Sequence, residues 1–135
     1  MTAVELIRSS TLSPAAPYAY AATAPAGARL IFLAGACPID EQGVVVSAGD
    51  YAAQAGACLA NLVTALADAG AALDDVISTR VLVASTKQAD LVTAWDVVSA
   101  GFGEHDAPST LLGVTVLGYP DQLVEIEAVA AVAVA

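Results

Sequence analysis

The sequence predicts an α+β fold, a two-layer sandwich in which two helices cover one face of a mostly sequential sheet, antiparallel or mixed in direction. Two stretches carry apolar residues at helical spacing, and the other apolar stretches have strand length and are bounded by turn residues. The order of these elements is β-β-β-α-β-α-β-β. A chain of 135 residues is long enough to bury a core without the support of disulfides or a structural metal, so we expect a single domain, residues 1–135.

The N-terminal part of the chain predicts three strands. A short first strand lies at residues 4–7, and the alternating Tyr18 and Tyr20 indicate a second within a segment rich in Ala, Ser and Pro. The apolar stretch Arg29–Ala36 predicts a third strand that stops at Pro38, because proline has no backbone N–H to donate to a sheet.

Two amphipathic helices follow. The first spans Asp50–Ala69, and Gly70 is suited to the position after its last turn. Its apolar stripe includes Cys58, which we therefore expect to pack in the core. The second helix is predicted to begin at a capping box, Ser85–Gln88. Its apolar face consists of Leu91, Ala94, Trp95, Val98 and Phe102.

The remaining strands are predicted at Val76–Ala84, Leu111–Leu117 and Leu123–Ala133. Alanine, valine and leucine are so abundant in the strands that the sheet face away from the helices is also expected to be apolar. Such a surface favours coverage by another chain over exposure to water.

Glu125 and Glu127 interrupt the most apolar stretch of the sequence. Side chains alternate along a strand, so both carboxylates point to the same side of the sheet. Burial of an ionised carboxylate without a partner is costly, so at least one of them reaches water, a ligand or a neighbouring subunit. The alternative is that both lie on a solvated sheet face.

Charge and composition exclude several function classes. Four Lys and Arg residues against 14 Asp and Glu give a formal net charge of −10, which repels a polyphosphate, so nucleic acid is not an expected partner. Two cysteines without metal-binding spacing indicate neither a disulfide framework nor a metal site. The N-terminus lacks a signal-peptide pattern, and no apolar run reaches the roughly 18 residues of a membrane span. We therefore expect a cytoplasmic protein without a membrane partner.

Five short motifs occur in order along nearly the whole chain: Ala16–Tyr18, Ala34–Pro38, Ala52–Gln54 with Asn61–Leu62, Gly70–Val76, and Leu123–Ala128. Together they resemble the Rid family of reactive intermediate deaminases, also called the YjgF or L-PSP family. The resemblance implies a chorismate-mutase-like fold and a homotrimer with a cleft for a small-molecule metabolite at each subunit interface. It also implies that neither a metal nor an organic cofactor takes part.

The same resemblance implies a set of site residues. Archetypal members hydrolyse imines and enamines, with a glutamate that positions water and an arginine that binds the substrate carboxylate. The glutamate corresponds to Glu125, while Tyr18 and Gly35 match residues that line the cleft. The arginine position is occupied by Ser109 or Thr110, depending on the alignment, so the chain resembles the branches of the family that lack this arginine. A hydroxyl cannot replace a bidentate cation, and the 2-imino-acid deaminase reaction is therefore not expected to be efficient.

Three further residues are candidates for contact with a substrate. Cys37 lies at a strand end in the segment that matches the cleft wall, with core packing as the alternative. Trp95 lies on the apolar helix face and is expected in the core or near a neighbouring cleft. His105 is flanked by Glu104 and Asp106, and it is either a switchable cation and proton donor or a surface loop residue.

Three functions fit these observations. The first is hydrolysis or deamination of reactive imines, enamines or related carbonyl metabolites, with Glu125 positioning water and Ser109 and Thr110 binding the substrate. The second is a non-catalytic trimer that binds small metabolites. The third is an endoribonuclease or translation inhibitor, which the net charge disfavours.

Overall fold

The computed structural model describes residues 2–134 and confirms the predicted order of elements. A single 3₁₀ turn, Leu73–Asp75, precedes the fourth strand. The strands and helices are β1 (Glu5–Ile7), β2 (Ala21–Thr23), β3 (Arg29–Phe32), α1 (Tyr51–Asp68), β4 (Val76–Ala84), α2 (Gln88–Phe102), β5 (Ser109–Val114) and β6 (Val124–Val132).

The main sheet is mixed and has the strand order β3-β6-β4-β5, while β1 and β2 form a separate antiparallel pair. Strands β4 and β5 are parallel because α2 connects them as a crossover, and β6 pairs antiparallel with both β3 and β4. The expectation of a mostly sequential sheet was wrong. The crossover places β5 on one edge of β4, which leaves the other edge free for the last strand of the chain to insert.

The hydrophobic core lies between the sheet and the two helices. Along β6, Val124, Ile126, Ala128 and Ala130 are buried while the residues between them are partly exposed, as strand alternation requires. Strand β4 contributes Val81 and Val83 to the same layer. The helices add Ala55, Cys58, Leu62, Leu66, Ala94 and Val98, so the expectation that Cys58 packs in the core is confirmed.

Local signals account for both ends of α1. The Asp50 carboxylate accepts a hydrogen bond from the Ala53 N–H (2.9 Å), and Gly70 adopts the predicted positive φ of 83°. The capping box predicted for α2 was wrong: the N-cap residue is Lys87. The Ser85 hydroxyl instead accepts from the Lys87 N–H (3.0 Å) and donates to the Asp90 carboxylate (2.7 Å).

Three strand boundaries also differ from their predictions. Tyr18 and Tyr20 precede β2 and are not part of it. Strand β3 ends at Phe32, and the Leu33 N–H still donates to the Ala128 carbonyl of β6 (3.3 Å). The chain bridges to β6 again at Ala36, whose N–H donates to the Ile126 carbonyl (2.7 Å). Strand β5 begins and ends earlier than predicted, because its pairing with β4 starts at Ser109.

The sheet face away from the helices combines apolar and charged side chains. Leu30 and Phe32 on the edge strand β3 are 53% and 74% exposed in the single chain. Across the middle of this face, Thr110 of β5, Arg80 of β4 and Glu127 of β6 lie side by side in one row. Within residues 2–134, no helix is long and apolar enough to cross a membrane.

Candidate functional site

Glu125 lies on β6, two residues before Glu127, so its side chain is on the same sheet face as those of Glu127 and Arg80. Its Oε1 atom accepts two hydrogen bonds, from the Gln122 amide (3.1 Å) and from the Cys37 thiol (3.2 Å). Both donors are neutral, so they fix the orientation of the carboxylate without cancelling its charge. The carboxylate is half-buried, and among residues 2–134 only its Oε1 atom accepts a hydrogen bond.

Gly35 forms the wall against which this carboxylate rests. A Cβ atom at residue 35 would overlap with Oε2 of Glu125 and crowd the rest of its carboxyl group. The backbone here needs no positive φ, so the requirement for glycine comes from the close approach and not from backbone conformation. Gly35 and Glu125, two of the candidate site residues, are therefore in direct contact.

Cys37 completes this cluster. Its thiol donates to Glu125 and lies 3.5 Å from the Gly35 carbonyl. Burial, together with the hydrogen bond to the neighbouring carboxylate, raises the pKa of Cys37 to about 11. The thiol is therefore protonated at neutral pH, where it serves as a hydrogen-bond donor and not as a nucleophile.

Two buried glutamines support the cluster, and sequence reasoning assigned a role to neither. The Gln122 side chain donates to Glu125 and accepts from the Tyr119 N–H (3.1 Å). The Gln54 side chain accepts from the Leu123 N–H (2.7 Å) and donates to the Asp121 carbonyl (3.0 Å). Helix α1 thus fixes the loop that carries Gln122. A polar residue within the apolar stripe of α1 was a signal for Gln54, but Gln122 had no comparable local signal.

A cavity of about 570 Å³ adjoins the cluster and is lined by residues that include Gly35, Cys37, Asn61 and Tyr119. The Asn61 side chain donates to the Cys37 carbonyl (2.8 Å) and to the Ile39 carbonyl (3.1 Å), which fastens the cavity wall to α1. This explains why an asparagine is useful on the exposed side of that helix.

Tyr18, Ser109 and Thr110 belong to a second cavity of about 390 Å³, whose lining also includes Tyr20 and Arg80. The two cavities share no lining residue. Within one chain, the structure therefore brings Gly35, Cys37 and Glu125 together and holds the other candidates elsewhere.

Ser109 and Thr110 point to opposite sides of β5. The Ser109 hydroxyl accepts from Thr79 on the neighbouring strand (2.6 Å), whereas Thr110 lies beside Arg80 on the face away from the helices. The Arg80 guanidinium donates to the Glu127 carboxylate (2.8 Å). The two side chains thus form a salt bridge between β4 and β6.

Trp95 and His105 lie outside the Glu125 cluster. The Trp95 ring is half-buried on α2 and meets the edge of the Tyr18 ring, with the ring centroids 6.5 Å apart. The His105 ring nitrogen Nε2 lies 2.7 Å from the Val76 carbonyl, so the ring ties its loop to the start of β4. Asp106 is paired with Arg8, and this pairing lowers the pKa of the Asp106 carboxyl.

Metal binding has no candidate site among residues 2–134, where no group of three or more His, Cys, Asp or Glu side chains could hold an ion. The polar side chains that line the two cavities instead carry an amide, hydroxyls, a thiol, the carboxylates of Asp40 and Glu41, and a guanidinium. Such groups suit a small polar organic molecule.

Comparison with known proteins places this architecture in a family. Residues 9–132 match the family model described as "Endoribonuclease L-PSP". The chain belongs to the Rid (YjgF, L-PSP) family. No curated protein sequence matches significantly.

Solved structures of Rid proteins match over nearly the full chain. YyfB from Yersinia pestis, a Rid-family protein of unknown function, is 31% identical with a TM-score of 0.88, covering 96% of this chain and 99% of that one. Rv2704 from Mycobacterium tuberculosis is 30% identical with a TM-score of 0.64 and the same coverage. E. coli TdcF, whose structure contains bound serine, is 27% identical with a TM-score of 0.66 and again covers 96% and 99%.

Proposed function

We propose that this protein is a small hydrolase of imines, enamines or related carbonyl metabolites, in which Glu125 positions and activates the attacking water. The observation that carries the proposal is the asymmetry of the Glu125 carboxylate. Oε1 is held by Gln122 and Cys37, whereas Oε2 accepts no hydrogen bond from any residue between 2 and 134. A fixed carboxylate with one free oxygen is suited to accept a proton from water.

The reaction needs no oxidant or reductant. Water attacks the carbon of the C=N bond and gives up one proton to Glu125, which passes it to the nitrogen, so that a neutral carbinolamine forms. Glu125 then accepts the proton of the carbinolamine hydroxyl and transfers it to the nitrogen, while the C–N bond breaks and the C=O bond forms. The products are a carbonyl compound and ammonia.

We further propose that the reaction occurs in a homotrimer, in a cleft that two subunits form together. The exposed Leu30 and Phe32 provide an apolar surface for a neighbouring chain. The separation of the candidates into two cavities also supports a shared cleft, because a neighbour can bring Tyr18 and Thr110 of one chain opposite Glu125 of another. Light scattering tests the assembly directly: a mass near 13.4 kDa in dilute solution would contradict it.

The Thr110 hydroxyl limits the substrate range. It can donate one neutral hydrogen bond where archetypal family members place a guanidinium, and a charge-assisted bond is worth about 1.5–3 kcal/mol. We therefore expect 2-iminobutyrate and 2-iminopropionate to be hydrolysed more slowly than by relatives that have the arginine. Equal rates in the same coupled assay would contradict this expectation.

The decisive experiment measures ammonia release from several imine donors by the wild type and by Glu125→Gln. This substitution keeps the shape of the side chain and removes its ability to take up a proton. We expect kcat to fall by about 10²–10⁴-fold, the usual contribution of general acid–base catalysis. Asp68→Asn, which removes a carboxylate of the same charge from the exposed end of α1, serves as the control and should leave the rate unchanged.

Full activity of Glu125→Gln on every substrate that the wild type accepts would make Glu125 structural. The alternative, a non-catalytic metabolite-binding trimer, would then stand. Hydrolysis of RNA is the least supported activity, since a chain of net charge −10 lacks a basic surface to attract a polyanion.

A further inference from the structure

Gln54 is a polar residue in the apolar stripe of α1, and it is fully buried. Its amide oxygen accepts from the Leu123 N–H (2.7 Å), while its amide nitrogen donates to the carbonyls of Asp121 (3.0 Å) and Ser47 (3.4 Å). Among residues 2–134, the Gln54 side chain thus bonds only backbone atoms that lie outside the helix. An apolar side chain would complete the stripe, so the amide serves the loop that it binds and not the helix that carries it.

The loop that Gln54 binds has a backbone conformation that it needs help to keep. Asp121 has a φ of 64°, in the left-handed region where residues other than glycine are uncommon. Gln54 bonds the carbonyl of Asp121 and the N–H of Leu123, which are the residues on either side of Gln122. Helix α1 therefore sets the direction in which the Gln122 side chain leaves the backbone.

The Gln122 amide is held in one orientation. Its oxygen accepts from the Tyr119 N–H (3.1 Å), and its nitrogen donates both to the Val124 carbonyl (3.1 Å) and to Oε1 of Glu125 (3.1 Å). A flipped amide would set oxygen against the Val124 carbonyl and nitrogen against the Tyr119 N–H, so two backbone groups exclude the flip. The amide therefore offers an N–H to Oε1, which leaves Oε2 free to take a proton from water.

We propose that Gln54 is a positioning residue for the Glu125 carboxylate and acts through Gln122. Gln54 is not among the residues that line the cavity beside this cluster, and it fixes the backbone on both sides of Gln122. The Gln122 amide in turn holds Oε1 of Glu125. The proposal adds a residue to the proposed function, on which its kinetic reading rests.

The kinetic test compares ammonia release by the wild type, Gln54→Met and Gln54→Glu. Gln54→Met fills similar space without a hydrogen bond, so kcat should fall about three- to tenfold with KM unchanged, since Glu125 loses its orientation while the substrate contacts remain. Burial favours the protonated form of a carboxyl group, which can accept from Leu123 and donate to Asp121 as the amide does. Gln54→Glu should therefore lose less than about threefold in kcat.

Leu66→Ala controls for a general loss of stability. Leu66 is also buried on α1, about 18 Å further along the helix, and its truncation leaves a cavity in the core. This variant should lower the melting temperature at least as much as Gln54→Met does and should leave kcat unchanged.

A double variant shows whether Gln54 acts through Gln122. If it does, Gln54→Met combined with Gln122→Ala should have the kcat of Gln122→Ala alone to within about twofold, because the second substitution removes a bond that is already lost. Independent effects would multiply instead.

The side-chain amide of Gln122 gives a readout that needs no turnover. Its two N–H signals in NMR spectra, identified by their absence from Gln122→Ala, belong to a buried and hydrogen-bonded group and should exchange slowly with solvent. In Gln54→Met they should exchange at least about tenfold faster, the effect of one lost hydrogen bond. The increase should be larger than in Leu66→Ala.

Four results would overturn the proposal: unchanged kcat in Gln54→Met, an equal loss of kcat in Leu66→Ala, equal losses in Gln54→Met and Gln54→Glu, or multiplied losses in the double variant. A wild type that hydrolyses no imine donor would overturn the proposed function instead, and faster exchange in Gln54→Met would still establish that Gln54 holds the Gln122 amide. Turnover by the wild type, with unchanged exchange in Gln54→Met, would keep the hydrolase and remove the role of Gln54.

Discussion

Glu125 and Glu127 lie two residues apart on the same strand and the same sheet face, yet their surroundings differ in kind. Glu125 is held by two neutral donors, Gln122 and Cys37, whereas Glu127 is paired with the guanidinium of Arg80. Neutral donors orient a carboxylate and leave its charge available, while an ion pair compensates the charge. Glu125 therefore keeps its charge available for the proposed reaction, whereas the charge of Glu127 is compensated.

Among substitutions that keep the Glu125 carboxylate, the largest effect is expected from Gly35→Ala, which tests whether the position of Glu125 is what distinguishes it from Glu127. The added methyl group would overlap with the Glu125 carboxylate, so the side chain must move. Misplacement of a catalytic group by about 1 Å can cost 10²-fold in rate, and we expect at least that loss in kcat. Overpacking should also lower the free energy of unfolding by about 1–3 kcal/mol.

Gly56→Ala is the matched control. Gly56 lies in α1, and a methyl group there would make an ordinary contact, 4.0 Å from the Val97 side chain. Removal of a helix-interior glycine should raise the free energy of unfolding by up to about 1 kcal/mol without affecting the rate. Equal activity of the two variants, measured with thermal unfolding alongside, would show that the close approach of Gly35 to Glu125 has no catalytic role.

The two helices could be predicted from the sequence, and Gly35 and Glu125 were named as separate candidate site residues. The sheet order, the supporting amides and the contact between Gly35 and Glu125 were not predicted. Asp50 and Gly70 are local signals, since a helix end depends on the residues next to it. The insertion of β6 between β3 and β4 is a long-range choice among strands with similar apolar patterns. The hydrogen bond from Gln122 to Glu125 depends on this long-range placement of β6.

Strand register also separates residues that sequence alignment left together. In the sequence, either Ser109 or Thr110 could occupy the arginine position of the family, because two alignments that differ by one residue were possible. In the structure, Ser109 bonds Thr79 and Thr110 lies beside Arg80. The pairing of β5 with β4 fixes this difference, since one residue along a strand changes the face.

A smaller effect is expected from Gln122→Ala, which removes one of the two neutral donors to Glu125. The Tyr119 N–H also loses its acceptor, so we expect the free energy of unfolding to fall by about 1–3 kcal/mol. A carboxylate held only by Cys37 should reach the reactive orientation less often, which we expect to lower kcat by about tenfold with little change in KM. A changed KM at constant kcat would instead assign Gln122 to substrate binding.

The smallest effect concerns the Cys37 thiol, which reports on the charge of Glu125. Because burial and the Glu125 carboxylate raise the pKa of Cys37 to about 11, the wild-type thiol should react slowly with an alkylating reagent at pH 8. Glu125→Gln removes the negative neighbour, lowers this pKa and should speed alkylation several-fold. Glu127→Gln should leave the rate unchanged, and Cys37→Ser gives the background from buried Cys58.

The same raised pKa has a consequence for stability in alkaline solution. The unfolded thiol ionises near its ordinary pKa of 9.0, whereas the folded thiol keeps its proton up to about pH 11. The stability that this group contributes is therefore fully present below pH 9 and is lost as the pH rises to about 11. In Cys37→Ser, which has no thiol to ionise at this position, the decrease in the free energy of unfolding between pH 9 and pH 11 should be smaller than in the wild type. Identical pH profiles for the two proteins would show that folding does not raise the pKa of Cys37. Gln122 would then be the remaining neutral side chain that donates to the Glu125 carboxylate.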